Sequence, residues 1–432
     1  MNKYLQLFKN LLVSDLVKVS SWSAISTFVK IVTSLVSVKV AAIIIGPEGV
    51  ALVSQFGNGI SYFSMLSTAG IGTGIVQMIS KHNDNRDYQS EIISTSSILT
   101  IGLSLFISLF TLIFYTKISY YIFNNNKYDT IVIIFGLTII LGSINSLLLN
   151  VVNGYKEYKK FIIINVLTSV ISLFFALALV LTLKLEGALY NVFLSQCVIV
   201  LITIYLLRKE KWMSFIVSPK KINNGILKNL LGFSLMTIIS LFLIPTTQIL
   251  IRGFIVGKAS LNEAGLWDSM NRISAMTLLI ITTSLSTYYL PRLSEIKNES
   301  ELRLEVLKTM KLVIPALSVL LIVVYYMRFF IINLLFSNKF YGMENLFFYQ
   351  LLGDFFKIAA WLIGFTLLSK GLSKIYIIIE VLFSLLLVAL SYYLIDLYGI
   401  IGSTVAYFAN YFILFILFTF YFFVQTNHKL VL

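Results

Sequence analysis

The chain has 432 residues, 58% hydrophobic and 12% charged, with a mean hydropathy of +0.91; soluble domains carry about 25% charged residues, so a soluble globular fold is excluded. Its 33 Lys and Arg against 19 Asp and Glu give a net charge of +14, but the charges fall between long apolar runs, so they report membrane topology before nucleic-acid binding. One cysteine, Cys197, and two histidines, His82 and His428, leave no disulfide framework, no C-x-x-C site and next to no material for a His-based metal or catalytic centre.

A helix needs about 20 largely apolar residues to cross about 30 Å of hydrocarbon, and twelve such runs follow one another. None shows the alternating ten-residue pattern of a membrane β-barrel, so the fold predicted is an all-α integral membrane protein of about twelve transmembrane helices. The first span, 16 to 45, carries Trp22, Ser26, Lys30, Thr33 and Ser37 at spacings of 4, 4, 3 and 4, a polar stripe along one face. Lys30 sits at its middle, while Lys18 and Lys39 are near enough to the ends to snorkel. It is too long for a signal peptide and lacks a small-residue cleavage site.

The second span, 50 to 80, places Gln55, Asn58 and Tyr62 on one face and ends in Gly70, Gly72 and Gly74. This G-x-G-x-G has no strand before it and no Gly-Lys-Ser/Thr after it, so it is no nucleotide loop; it reads as close helix packing or a hinge. Spans 89 to 116, 130 to 153, 161 to 183 and 187 to 207 contribute Asn145, Asn150, Asn165 and Asn191, ordinary polar glue between membrane helices. A polar stretch at 208 to 228, with Ser218-Pro219-Lys220-Lys221, separates residues 1 to 207 from 229 to 432, six spans each.

In the second set, span 229 to 256 is interrupted by Pro245, which removes a backbone bond and bends the helix, and carries Arg252 close enough to its end to snorkel. Span 264 to 290 sets Asp268 and Arg272 at i, i+4, able to neutralise each other. Span 308 to 336 holds Arg328. Span 345 to 369 aligns Gln350, Asp354, Lys357 and Trp361 at spacings of 4, 3 and 4; Asp354 and Lys357 form either an internal ion pair or two parts of a solvated wall. Spans 372 to 396 and 399 to 424 add Glu380 and Asn410.

Between the spans, 21 cations fall on the side of the N-terminus and five on the other, so the positive-inside rule puts both termini in the cytoplasm. Halves of six spans share one orientation, which makes any repeat parallel, two lobes related by a pseudo-twofold along the membrane normal. Opposite-side loops are about 13 residues or shorter. With Lys308, Lys311, Lys374, Glu91 and Asp396 at span ends counted with the loops, seven cations and three acids remain inside spans. Each costs about 2.5 to 3.5 kcal/mol at a helix centre, so they must mostly line a wet interior. Candidate ligand contacts are Lys30, Arg252, Arg272 and Lys357 with Gln55, Asn58, Tyr62, Gln350 and Trp361. Asp268, Asp354 and Glu380 are candidates for proton coupling or ion pairing, and Pro245, Gly70 and Gly72 for hinges. Excess cations with amides and aromatic faces suit a ligand that combines sugars and negative charge.

Several stretches together carry a family resemblance: Trp22-Ser-Ala-Ile-Ser-Thr-Phe-Val-Lys30, Ile45-Gly-Pro-Glu-Gly49, Ala69-Gly-Ile-Gly72, Tyr289-Leu-Pro-Arg-Leu293, Leu335-Phe-Ser-Asn-Lys-Phe340, and Gln350 to Lys357 with Ile379-Glu380. The chain resembles, end to end, the polysaccharide flippases of the multidrug/oligosaccharidyl-lipid/polysaccharide exporter superfamily, in particular bacterial O-antigen flippases and the related flippases of the enterobacterial common antigen lipid intermediate. The resemblance implies a carrier, not an enzyme and without a cofactor, that moves an undecaprenyl-pyrophosphate-linked oligosaccharide from the inner to the outer leaflet of the bacterial inner membrane. It implies two lobes in a V that opens alternately to each side, with the polysaccharide polymerase and chain-length machinery as further partners. Lys30, Asp354, Lys357 and Glu380 fall on matching positions. Asp268 departs from the Gln that relatives often carry there, so no shared role is carried over to it. A cation-coupled multidrug exporter of the same superfamily is the alternative, disfavoured by the excess of cations. A membrane polysaccharide polymerase would need longer loops than these.

Overall fold

The computed structural model describes residues 15–82, 85–217, 222–285, 289–296, 298–370 and 372–427. The side chains of Lys18 and Trp22, and Lys3, Lys9, Lys220, Lys221, Lys297, His428 and Lys429, lie outside the described residues. All described regular elements are helical. In chain order they are α1 (Asp15–Thr68), α2 (Gly72–Lys81), α3 (Arg86–Ile113), α4 (Tyr115–Phe123), α5 (Asp129–Gly154), α6 (Tyr158–Leu207), α7 (Met213–Val217) and α8 (Asn224–Lys258). Then follow α9 (Leu261–Ser284), α10 (Leu290–Glu295), α11 (Glu299–Tyr326), α12 (Arg328–Leu335), a 3-10 segment (Asn338–Leu346), α13 (Phe347–Ser369), α14 (Ser373–Tyr398) and α15 (Ile400–Asn427).

Nine helices among the described residues are long and apolar enough to cross a membrane. Two of these contain a break. α1 breaks at Gly46, whose φ of 65° is left-handed, a conformation open to glycine at little cost, and Pro47 then starts the next segment with its φ already helical. α6 breaks at Lys184, φ 50°. Eleven spans result, and α9, with 24 residues, makes the twelfth; its Asp268 and Arg272 lower its hydropathy. The chain is thus a multi-pass all-α membrane protein.

Several spans are shorter than the apolar runs suggest. The second is not one helix from 50 to 80: Ala69 (φ 50°) and Gly70 (φ 61°) turn the chain between α1 and α2. The run expected from 308 to 336 ends at Tyr326, and Arg328 opens α12 instead of standing inside a span. There its Nη1 donates to the Tyr325 carbonyl at 3.0 Å and its guanidinium stacks on Tyr325 and Phe329.

Two compact units divide the chain, one of residues 1–44 and 55–241, the other of 45–54 and 242–432. In the first, Ile79, Ile92, Ile93, Leu148, Val151 and Val200 form the fully buried centre. Gly136 lets α3 and α5 approach so closely that a Cβ there would come within 3.2 Å of Thr111, and Ser108 donates across the gap to the Gly136 carbonyl at 2.7 Å. The described residues of the segment read as a linker, 208–217 and 222–228, are folded onto this unit. Trp212 is 5% exposed and stacks on Tyr155, while Lys160 bonds both Glu157 and Glu210. Asn223 caps α8 by accepting from Gly225 and Ile226 and donates to Glu91 at 2.7 Å. The first half of α8 packs on the turn at Gly70, where a Cβ would lie 3.1 Å from Ile238; Ser234 donates to the Ala69 carbonyl, and Thr73 and Thr237 bond at 3.1 Å. The unit boundary within α8 falls between Leu241 and Phe242, and Pro245 lacks the N–H that would bond the Leu241 carbonyl.

Candidate functional site

In the second unit α8, α9, α13, α14 and α15 surround a cavity of about 230 Å³. Its wall is aromatic, with Trp267, Trp361, Tyr376, Tyr407 and Tyr411, and carries amides from Gln248, Asn271 and Asn410. Lys357 and Glu380 supply its charges.

Lys357 is half-buried, and its Nζ lies 5.1 Å from the Trp361 ring centroid, 5.7 Å from that of Tyr407 and 5.3 Å from that of Tyr411. Trp361 is one turn further along α13, and the tyrosines are one turn apart on α15, so two helices close three rings around one ammonium. Ring faces attract a cation through their quadrupole without cancelling its charge. Asp354 does not pair with Lys357. It is fully buried, and its Oδ1 accepts from Ser274 at 2.7 Å and from the Tyr407 hydroxyl at 2.9 Å.

Arg252 and Asp268 are placed differently from the expectation. Arg252 does not snorkel: it is 1% exposed, and its Nε and Nη2 grip Asp268 at 2.8 and 2.6 Å. Asp268 therefore pairs with a residue of α8, and Arg272, one turn on in α9, donates to Ser54 at 3.0 Å. The paired geometry is the bidentate fork that guanidinium and carboxylate favour, with the guanidinium 5.9 Å from the Trp267 ring centroid. Gln350 is 1% exposed and is not part of the cavity wall, although Trp361 is.

The other candidates belong to the first unit. Lys30 is exposed on α1, but the stripe beside it is partly spent on its own helix: Thr33 donates to the Val29 and Lys30 carbonyls and Ser37 to that of Thr33. Gln55 donates its amide to the Ile122 carbonyl at the end of α4. Asn58 and Tyr62 are half-buried. Glu380 and Trp361 line the cavity as a ligand wall requires, and Tyr407, Tyr411, Trp267 and Asn271, which the sequence reading passed over, line it with them. The i, i+4 spacing of Tyr407 and Tyr411 around Asn410 was the signal available for α15.

The sequence profile described as "Polysaccharide biosynthesis protein" matches residues 16–297. A relative named Lipid III flippase from Escherichia coli (strain K12) is 32% identical over 405 residues, covering 93% of this chain and 96% of the relative. An inward-facing multidrug resistance MATE family transporter of the MOP superfamily superposes with a TM-score of 0.75 at 15% identity, over 92% of this chain and 96% of that one. An outward-facing one gives 0.70 at 14% identity, over 95% and 96%. At that identity these structures speak for the fold alone, which this chain shares with them. By the profile match and the relative's identity over nearly its whole length, the chain belongs to the polysaccharide biosynthesis protein family.

Proposed function

We propose that the protein is a flippase that moves an undecaprenyl-pyrophosphate-linked oligosaccharide from the inner to the outer leaflet of the bacterial inner membrane by alternating access, for O-antigen or a related surface polysaccharide. The observation that carries this reading at the level of residues is the cavity of the second unit. Its ammonium is held by rings instead of by a carboxylate, beside amides that match sugar hydroxyls. The relative named Lipid III flippase supports a lipid-linked oligosaccharide as the cargo.

In this reading Lys357 meets the pyrophosphate in the cavity, while Trp361, Tyr407 and Tyr411 stack on sugar; Lys30, on the first unit, is a separate candidate anion contact. The prenyl chain stays in lipid. The two units, whose boundary inside α8 falls between Leu241 and Phe242, act as the two lobes in place of the 1–207 and 229–432 halves expected about 208–228; both termini are cytoplasmic, and Pro245, Gly70 and Gly72 serve as hinges. Asp354 and Glu380 carry the coupling proton. Arg252 and Asp268 serve as a helix clamp, and the polysaccharide polymerase receives the cargo. An excess of cations within the spans speaks against a cationic drug as substrate.

Deleting the gene tests the reading. Surface polysaccharide should vanish and lipid-linked units accumulate, both reversed by the wild-type gene and not by Lys357→Ala inserted at the same level. Normal polysaccharide in the deletion strain would refute it.

A further inference from the structure

Asp354 and Lys357 stand three residues apart on α13, the spacing at which an acid and a base on one helix meet, yet they form no ion pair. What replaces the pair is a relay through α15. A Cβ at Gly353 would lie 2.3 Å from Cδ1 and 2.6 Å from Cε1 of Tyr407, so the absence of a side chain at 353 lets that ring lie flat against α13. Its hydroxyl then reaches the neighbouring residue, Asp354, at 2.9 Å. Tyr407 in turn packs on Tyr411, ring centroids 4.8 Å apart, and both face Lys357 Nζ. Ser274 from α9 donates to the same carboxylate oxygen at 2.7 Å.

We propose that Asp354 is a positioning residue for the Lys357 site: through the Tyr407 hydroxyl it locks the three-ring box that holds the Lys357 ammonium away from Asp354 and toward the cavity. This rests on Lys357 being the anion ligand of the proposed flippase. A carboxylate contact would cancel the charge that a phosphate needs. A box of neutral rings steers the ammonium and leaves its charge available. Gly353 and Asp354 act as one docking pair, the first by making room for the ring and the second by tethering its hydroxyl.

The test uses the full chain in lipid nanodiscs, with lysines reductively methylated from carbon-13 formaldehyde. The Lys357 methyl signal is identified by its loss in Lys357→Arg. Nuclei over aromatic faces are shielded, so this signal should lie upfield of the other lysines. Asp354→Asn keeps an acceptor oxygen in place and should keep the upfield position. Tyr407→Phe, which loses only the hydroxyl, and Gly353→Ala, which pushes the ring away without changing charge, should move the signal to the bulk lysine position. A signal that stays upfield in Tyr407→Phe or Gly353→Ala, that is lost in Asp354→Asn, or that is never upfield in the wild type overturns the proposal. The readout involves no transport step, so its failure is separate from failure of the flippase reading, which Lys357→Ala and surface polysaccharide report.

Discussion

Replacing Arg252 or Asp268 tests whether this buried charge pair of the second unit binds cargo or holds helices. The pair is 1% and 4% exposed, and its two hydrogen bonds at 2.8 and 2.6 Å join charged groups, each worth about 1.5 to 3 kcal/mol. Losing both costs about 3 to 6 kcal/mol, in line with about 3 to 5 kcal/mol for breaking a buried pair from one side. That is two or more orders of magnitude in the ratio of folded to unfolded protein. Arg252 Nη1 has no hydrogen-bond partner among the described residues, so the pair also carries a desolvation cost that apolar replacements remove. Arg272 senses Asp268 electrostatically, which gives the cluster a net charge of one positive; Arg252→Met with Asp268→Leu leaves that value unchanged. Each single change alters it. Arg252→Met and Asp268→Leu alone should therefore lower membrane yield and heat resistance in nanodiscs, while the double variant recovers both and restores surface polysaccharide. A stable double variant that exports nothing, or single variants as stable as the wild type, would refute the clamp and return both residues to the cargo path.

Other expectations follow from the same geometry. Reporter fusions after residues 122, 185, 260 and 340 should read out as periplasmic and those after 84, 157, 215 and 298 as cytoplasmic; reversal at two sites would break the twelve-span topology. Trp212→Ala removes the ring stacked on Tyr155 and should cost about 3 to 5 kcal/mol, seen as tryptic cutting at Arg208 to Lys211 that is faster than in the wild type. Burial pushes the Tyr155 phenol up to about 12, with Arg86 opposing and Glu157 adding. The unfolded chain releases this proton first, near pH 10, so the stabilising contribution is full below pH 10 and falls from there toward 12. Tyr155→Phe should then gain on the wild type in melting temperature only above pH 10, and a gain already present at pH 7 to 9 would contradict the assignment. Lys30→Ala should insert normally yet abolish surface polysaccharide, with Lys30→Arg retaining more, because charge matters more than shape against a diffuse anion.

The spans were legible because length and apolarity dictate them, and the break between the first two was written in Gly46-Pro47. Breaks that depend on packing were not. The turn at Ala69 to Ile71 is stabilised by Ser234 and Ile238, more than 160 residues away. Helix periodicity correctly placed Lys357 and Trp361 on one face but misassigned partners, since residues four apart on a helix compete with long side chains from neighbouring helices. Arg252 reaches Asp268 from α8 with two aligned donors, geometry that Arg272 on the same helix does not supply. Lys357 prefers rings contributed fifty residues later, and nothing near Asp354 in the chain announces Tyr407. The 208 to 228 stretch looked like a linker because it is charged, yet Trp212 and Ile216 anchor it.

Reconstitution tests the central claim most directly. Purified protein in liposomes carrying an undecaprenyl-pyrophosphate-linked oligosaccharide in one leaflet should expose the sugar to a lectin confined to the other side. The account predicts sugar exposure well above protein-free liposomes, abolished by Lys357→Ala and by Lys30→Ala. Exposure no greater than in protein-free liposomes, or equal exposure with both lysines replaced, would contradict it.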